Sequence, residues 1–262
     1  MTDSGFSDYK PLDHPGILAY IFHPRASMRP AGPDDILIPV EENVYIGACF
    51  HVAGKSAPTI LFFHGNGEIV PDYDELGPLY TRMGINFFVV GYRGYGGSTG
   101  SPTVSAMMAD SHAILDFVIQ WRRDQGFTGT LSVMGRSLGS ASAIELATAR
   151  AFEVETLIVE SGFASTGSLL RVLGIDTAGL GIQVPAELDN QEKIRQWSGP
   201  ALIIHGEQDQ LIPFSHGQAL FAACTSTEKK LLKIAGAGHN DIFLRGLEPY
   251  LSAVKSLVLP KA

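Results

Sequence analysis

The chain has 262 residues, of which 45% are hydrophobic and 18% are charged, and its formal net charge at pH 7 is −8. This length suits one α/β domain, and the apolar fraction excludes a disordered chain, which lacks the apolar surface to offset chain entropy. The acidic balance argues against a nucleic-acid partner and against attachment to anionic lipid, because both depend on clustered Lys and Arg.

The N-terminal region carries few signals. Residues 1–10 contain acidic residues and no apolar stretch, unlike a secretory signal. Nowhere does an apolar run reach the ~20 residues that span a bilayer, so we expect no integral membrane segment and a cytoplasmic location. Residues 1–35 predict an extended segment that lies on the domain. Cys49 and Cys224 are too few for a disulfide framework and are expected to be reduced and partly buried.

The strand patterns predict a mostly parallel sheet. Ile36–Val40 and Val44–Val52 flank a turn signal and predict an antiparallel hairpin. Six later runs are short and almost continuously apolar, which is typical of strands buried on both faces: residues 59–63, 86–90, 130–134, 156–159, 201–204 and 230–234. Helical patterns lie between them, notably over residues 105–121, 138–150, 215–223 and 241–258. This alternation predicts the α/β class: one domain over residues 1–262, with a doubly wound sheet of about eight strands and helices on both faces.

Ser137 stands at one of these strand ends, in Gly135-Arg136-Ser137-Leu138-Gly139. Active sites of doubly wound sheets lie at the carboxyl ends of the strands. A Gly-x-Ser-x-Gly between a strand and a helix forms a nucleophile elbow, in which a sharp, strained turn raises the serine hydroxyl above the sheet. Side chains at either glycine would collide with the neighbouring strand and helix. We therefore predict Ser137 as a nucleophile.

A serine hydroxyl needs a base, and two later strand ends supply the candidates. Asp209 follows the strand at 201–204, and His239 follows the strand at 230–234. In this order and placement, His239 would take the proton of Ser137, while Asp209 would hold the imidazole in the correct tautomer.

Other polar residues near these strand ends compete for the same roles. Glu207 is an alternative acid, although it lies nearer the strand. Asp241 is too close to His239 in the chain to reach its Nδ1, so we expect Asp241 or Asn240 to cap the last helix. His205 and His64 are expected to support their loops rather than to react.

The loop after the third strand predicts an oxyanion hole. It contains His64-Gly65-Asn66-Gly67, whose glycines allow the backbone to turn the Asn66 N–H toward the serine. The start of the following helix presents the Leu138 N–H on the other side. We predict these two N–H groups as the oxyanion donors.

The sequence predicts no metal and no cofactor. The glycine-rich residues 91–100 follow a strand, but they lack the third glycine of a dinucleotide-binding loop and the Gly-Lys-Ser/Thr of a phosphate-binding loop. They are expected to form a tight bend. No His-Glu-x-x-His, Cys-x-x-Cys or paired His spacing indicates a metal.

Together, residues 64–67, 94–98, 135–139 and 236–241 resemble the α/β-hydrolase superfamily. Residues 204–206, Asp209, 214–217 and 236–241 are especially similar to its small capless branch, which includes the eukaryotic acyl-protein depalmitoylases. The likeness spans about residues 36–251. It implies the α/β-hydrolase fold with a minimal cap, and ester or thioester hydrolysis through an acyl-enzyme by Ser137, Asp209 and His239 without a cofactor. Those depalmitoylases reach membranes through a lipidated N-terminal cysteine cluster, whereas residues 1–35 contain no cysteine.

The sequence of residues 164–199 is compatible with two different structures. They contain several leucines and glycines, and predict either a small mobile lid lining an acyl pocket or an ordinary helix packed on the sheet. If they form a lid, Leu169 and Leu173 are candidate substrate-binding residues.

Three functions remain open, and the first is favoured. It is a carboxylic-ester or thioester hydrolase whose partner is a small-molecule substrate with a small to medium acyl group. The second is an aminopeptidase-type serine peptidase, which would need an acidic anchor and a larger cap. The third is a catalytically silent scaffold, which the intact Ser, Asp and His and both oxyanion loops disfavour. The sequence does not specify the oligomeric state.

Overall fold

A computed structural model describes residues 8–30 and 32–260, and the fold is given for those residues. The predictions over residues 1–35 and 1–262 include residues 1–7, 31, 261 and 262, which lie outside the described residues.

Over the described ranges the strands form one eight-stranded sheet in the order β1-β2-β4-β3-β5-β6-β7-β8. Strand β2 pairs antiparallel with β1 and β4, and all other pairs are parallel. The predicted hairpin and all six buried strands are confirmed, with ends shifted by two residues at most. The strands are β1 Asp35–Glu41, β2 Val44–His51, β3 Thr59–Phe63, β4 Asn86–Val90, β5 Leu131–Arg136, β6 Leu157–Glu160, β7 Ala201–Gly206 and β8 Lys229–Ile234.

Helices cover both faces of the sheet, as expected for strands that are apolar throughout. In β3, Leu61 and Phe63 pack into the core beneath the third and fourth helices, and Ile60 and Phe62 pack on the opposite face. The last helix bends at Gly246, one turn before Pro249, which lacks an N–H for the helical ladder. The helices are α1 Pro15–Ile21, α2 Gly77–Arg82, α3 Val104–Asp124, α4 Ser140–Ala149, α5 Thr166–Val172, α6 Asn190–Ile194, α7 Phe214–Ala223 and α8 Ile242–Val258, with 3-10 turns at Lys10–Leu12, Val70–Tyr73, Ser137–Gly139 and Ala186–Leu188.

The strand order reverses around β3, which lies between β4 and β5. In open α/β sheets, ligands bind in the crevice outside the carboxyl ends of the strands at such a reversal. Phe63, the last residue of β3, pairs with Gly135 of β5. The loops that follow these two strands, which carry Asn66 and Ser137, therefore emerge side by side.

The N-terminal segment differs from the prediction. An extended conformation is wrong for Pro15–Ile21, which forms α1. Pro15 occupies the first helical turn, where a missing N–H costs nothing, and the His14 ring accepts a hydrogen bond from the Gly16 N–H at 3.1 Å. Ile17 and Ile21 lie one turn apart and are buried. This short apolar stripe attaches the segment to the domain.

Residues 164–199 combine features of both predicted alternatives. Helix α5 presents Leu170 to the core and leaves Leu169 half-buried beside Ser137. Further along, Ile194 and Trp197 are buried, so this end of the segment is packed against the domain. Movement of the segment as a lid stays a prediction.

Two further expectations concern cysteines and membranes. Cys49 and Cys224 are both free and buried. Among the helices of the described residues, none combines the length and the apolar character needed to cross a membrane.

A buried polar cluster ties the N-terminal segment to α4 and α6. Lys193 Nζ lies 2.8 Å from Glu145 Oε2, and both side chains are almost inaccessible. The Tyr9 hydroxyl donates to Glu145 at 2.6 Å and accepts from Lys193. His112 Nε2 lies 3.5 Å from the other carboxylate oxygen. Burial raises the pKa of Glu145, but the contacts with His112 and Lys193 outweigh it and hold the pKa at about 2.

Because this pKa is lowered in the folded protein, ionised Glu145 stabilises the fold at pH above its ordinary pKa, and this contribution is lost as the pH falls toward 2. Between about pH 5 and pH 3, the free energy of unfolding of the wild type should fall by about 2 kcal/mol more than that of Glu145→Gln. Denaturant titrations over this pH range measure the difference. Glu192→Gln removes an exposed carboxylate paired with Arg195 and should keep the wild-type pH dependence. Equal pH dependence in Glu145→Gln and the wild type would contradict this assignment.

Candidate active site

Ser137 lies on a strained turn between β5 and α4. Its φ of 51° is left-handed, a conformation that costs energy for a residue with a side chain. A Cβ at Gly135 would lie 2.1 Å from the Gly139 carbonyl oxygen, and a Cβ at Gly139 would lie 2.1 Å from the Phe63 carbonyl oxygen. Neither backbone oxygen can move aside, so both glycines are required by close packing, as predicted. The turn holds the serine at the carboxyl edge of the sheet.

The structure brings Ser137, His239 and Asp209 together. His239 Nε2 lies 3.0 Å from Ser137 Oγ, and His239 Nδ1 lies 2.7 Å from Asp209 Oδ2. A carboxylate only accepts hydrogen bonds, so Nδ1 carries the ring proton and Nε2 is left to accept the serine hydroxyl. All three residues are buried or nearly so. This is the arrangement a serine needs to lose its proton.

The loop after β7 fixes the Asp209 carboxylate. Its Oδ1 accepts from the Leu211 and Ile212 N–H groups at 3.0 and 2.8 Å. His205 Nε2 lies 2.7 Å from the Ile212 carbonyl oxygen and 3.5 Å from Asp209 Oδ2, so His205 supports this loop as expected. Burial opposes ionisation of Asp209, but hydrogen bonds from His205 and His239 hold its pKa well below the ordinary range.

Glu207 and Asp241, the other acidic residues near these strand ends, make contacts away from the Ser137 site. Glu207 is exposed, pairs with Lys233 at 2.5 Å and accepts from the Gly236 N–H. Asp241 occupies the capping position of α8, but its side chain makes no cap bond, and Asn240 Oδ1 accepts from Arg136, so the prediction that one of these two residues caps the helix is wrong. The Asp241 carboxylate instead accepts from the Gly238 N–H at 2.6 Å and pairs with Arg245.

Asn66 and Leu138 line the same small cavity as Ser137. Two other segments of the chain hold the Asn66 side chain. Its Oδ1 accepts from the Tyr95 hydroxyl at 2.8 Å and from the His23 N–H at 3.0 Å. Tyr95 belongs to the glycine-rich bend, and His23 follows α1. These contacts orient the residue that carries one predicted oxyanion donor. His64 is buried, with Nδ1 2.8 Å from the Gly65 carbonyl oxygen, and supports the same loop.

Arg136, beside the nucleophile, joins three loops of the site. Its Nη1 pairs with Glu68, and its Nε lies 3.0 Å from Glu160 Oε1. Its Nη2 donates to the His239 carbonyl oxygen and to Asn240 Oδ1, each at 2.9 Å. Burial disfavours the charged guanidinium, but the two carboxylates outweigh it and raise the pKa of Arg136 above its ordinary value.

Glu68 carries this connection into the oxyanion loop. Its Oε2 accepts from the Gly65 N–H and from the Tyr73 hydroxyl, both at 2.6 Å. Burial raises the pKa of Glu68, but Arg136 outweighs it and leaves the pKa below its ordinary value. The loop bearing Asn66, the turn bearing Ser137 and the loop bearing His239 are therefore held by one ionic network.

The cavity beside Ser137 is small and apolar. Its volume is about 60 Å³. Leu169 and Leu173, the predicted substrate-binding residues, line it together with Ile21, Asn66, Ser137, Leu138, Leu211 and Ile212. Ile21 comes from α1 and was not predicted, because the apolar run Ile17–Phe22 is shorter than two helical turns and lies between Pro15 and Pro24. Arg136 and Glu68 were also missed, since their pairing depends on contacts across the sheet.

Comparisons with known proteins agree with this fold. The serine aminopeptidase S33 family model matches residues 54–175, and the α/β-hydrolase fold model matches residues 159–245. The human alpha/beta hydrolase domain-containing protein 17B is 36% identical over 205 residues, which cover 76% of this chain and 66% of that protein. The alpha/beta hydrolase domain-containing protein 17C of Xenopus laevis is 33% identical over 224 residues, which cover 83% of this chain and 67% of that protein. The chain thus spans about two thirds of the length of these relatives.

A solved structure extends the likeness to the whole architecture. The Pyrococcus furiosus esterase Pf2001 superposes with a TM-score of 0.71, covering 90% of this chain and 96% of that one. At 18% sequence identity, this similarity concerns the fold alone.

Glu68→Gln tests the ionic network. Glutamine keeps an acceptor for the Gly65 N–H and the Tyr73 hydroxyl but removes the charge that binds Arg136. We expect kcat for a p-nitrophenyl ester to fall about tenfold, less than the ~10²–10³ lost when an oxyanion donor is deleted. KM should change little, because Glu68 does not line the cavity.

Glu207→Gln is the matched control, since Glu207 also follows a central strand but pairs with Lys233 at the surface. Its kcat should remain at the wild-type value. An unchanged kcat in Glu68→Gln would contradict the positioning role of the network.

Proposed function

The chain belongs to the α/β-hydrolase family, and we propose that it is a hydrolase that cleaves carboxylic esters or thioesters through an acyl-enzyme formed on Ser137. The observation that carries this proposal is the row of contacts from Asp209 through His239 to the Ser137 hydroxyl, at 2.7 and 3.0 Å, beside an apolar cavity. In this proposal Asn66 and Leu138 supply the oxyanion donors.

Acylation begins at the Ser137 hydroxyl. As Ser137 Oγ attacks the carbonyl carbon of the substrate, His239 Nε2 accepts its proton, and Asp209 stabilises the resulting imidazolium. The carbonyl oxygen gains negative charge and lies toward the Asn66 and Leu138 N–H groups. Such donors act most strongly when they are fixed before the reaction. The imidazolium then returns the proton to the departing alcohol or thiol.

Deacylation repeats the sequence with water. His239 takes a proton from a water molecule that attacks the acyl carbon, the oxyanion forms again, and the Ser137 oxygen leaves as it recovers the proton. A carboxylic acid is released and the free serine is restored.

The size of the cavity argues for a small acyl group. Pockets that enclose drug-sized ligands usually measure about 300–1,000 Å³. The cavity beside Ser137, at about 60 Å³, fits a short apolar chain. Leu211, which lines its mouth, is 42% exposed. The alcohol or thiol part of the substrate would therefore lie outside, toward solvent.

An aminopeptidase is the second candidate, because one matching family model carries that description. Such an enzyme must bind the α-ammonium group of its substrate, and a carboxylate is the usual partner of a buried ammonium. Among the described residues that line the cavity, none is acidic. This lining favours the ester or thioester.

A series of p-nitrophenyl esters and acyl-thioesters, measured beside aminoacyl amides, tests the proposal. We expect kcat/KM to be highest for short acyl chains and to fall as the chain outgrows the cavity, with little turnover of the amides. Turnover of the amides alone would contradict the proposed substrate class.

Asp209→Asn is the matched control, because it keeps the shape of the side chain but favours the wrong tautomer of His239. It should lower kcat by about 10⁴ across the whole series. A kcat near the wild-type value in Asp209→Asn would exclude Asp209 as the acid.

A further inference from the structure

Three potential metal ligands lie together on the outer part of the sheet. Cys49 and His51 are alternate residues of β2, so their side chains share one face of the strand. Asp74 follows the 3-10 turn Val70–Tyr73, which packs on that face. The ligand atoms of these three residues all lie within 4.8 Å of one another.

We propose that Cys49, His51 and Asp74 bind a zinc-type divalent cation, with water completing its coordination. Cys49 Sγ and His51 Nε2 are 3.7 Å apart. Zn–S and Zn–N bonds of about 2.3 and 2.0–2.1 Å at a tetrahedral angle place the two atoms about 3.6 Å apart. The observed pair is therefore already near the required spacing.

The donor set selects the class of metal. A thiolate and an imidazole favour zinc and similar transition metals, whereas calcium and magnesium prefer sites made only of oxygen ligands. On binding, the Cys49 S–H bond breaks, the sulfur donates its electron pair to the cation and one proton passes to solvent.

The His51 ring is held in position by its neighbours. A Cβ at Gly77 would lie 2.2 Å from His51 Cγ, so only glycine leaves room for the ring at the start of α2. On the strand side the ring stacks on Phe87 with centroids 6.4 Å apart. A ligand fixed in this way loses little conformational freedom when a cation binds.

The charges around the cluster favour a cation. The positive group Arg29 lies close by, and its Nη2 pairs with Asp35 at 2.7 Å while its Nε lies 3.0 Å from Asp74. Asp34 adds a further negative charge. Arg29 remains neutralised by Asp35 when Asp74 turns to the metal.

This cluster is separate from the Ser137 site. Two strands, β4 and β3, lie between β2 and β5 in the sheet. His51 pairs with Phe87 near the start of β4, toward the amino edge of the parallel strands, whereas Ser137 follows the carboxyl end of β5. We therefore assign the metal a stabilising role, which does not depend on the proposed hydrolysis. Sequence motifs miss the cluster because its third ligand comes from a different element.

Cobalt(II) is the direct probe, since it replaces zinc and its bond to a thiolate absorbs in the near ultraviolet. The full chain, without an affinity tag, is treated with chelator and reductant and titrated with Co²⁺. We expect a thiolate-to-cobalt band that saturates at one equivalent, is displaced by Zn²⁺ and is accompanied by a rise in Tm. Cys224→Ser, which changes the other buried cysteine, is the matched control and should keep the band.

The band should disappear in Cys49→Ser. Asp74→Asn changes a half-exposed ligand and should weaken Co²⁺ binding at least ~10-fold, the lower bound seen when an outer partner of a metal ligand is lost. Because Asp74→Asn removes no core atom, it keeps the test valid if Cys49→Ser fails to fold. Absence of the band in the wild type, or equal Co²⁺ affinity in the wild type and Asp74→Asn, would overturn the proposal.

Discussion

The buried guanidinium of Arg136 is the interaction on which the geometry of the site depends. It lies between Glu68 and Glu160 and also binds the carbonyl oxygen of His239, so that one side chain contacts the ends of several strands. Glu160 is itself fixed by the Tyr250 hydroxyl at 2.6 Å, which connects the network to α8. Removing one partner of a buried ion pair leaves an uncompensated charge and typically costs about 3–5 kcal/mol. The network therefore resists the displacement of any single loop.

The fold brings the loops of the site together, and the ionic network around Arg136 fixes their relative positions. Reversal of the strand order around β3 brings two loops together, and the strained φ of Ser137 raises its hydroxyl between them. That strain persists because Gly135 and Gly139 allow backbone contacts too close for any Cβ. On the outer side, the N-terminal segment completes the site, since His23 holds Asn66 and Ile21 closes the apolar cavity.

The sequence predicts features that depend on neighbouring residues and misses those that depend on contacts between distant segments of the chain. The parallel strands are predicted because strands buried on both faces, such as Thr59–Phe63, are apolar throughout. Ser137, His239 and Asp209 are predicted because each follows a strand, and the structure brings them into contact. Helix α1 is missed because the apolar run Ile17–Phe22 is shorter than two helical turns and is flanked by prolines, so it shows no helical repeat. Arg136 and the Cys49–His51–Asp74 cluster are missed because their partners come from distant elements, which local patterns do not encode.

In the proposed mechanism, Ser137 forms a covalent bond with the acyl group of the substrate. The most direct test mixes the protein rapidly with a short-chain p-nitrophenyl ester, quenches the reaction with acid in the first turnover and examines the peptides by mass spectrometry. We expect a burst of p-nitrophenolate equal to the enzyme concentration and one acyl group on the peptide that contains Ser137, and both should be absent in Ser137→Ala. Release of p-nitrophenolate without an acylated peptide, together with wild-type turnover in Ser137→Ala, would contradict this mechanism.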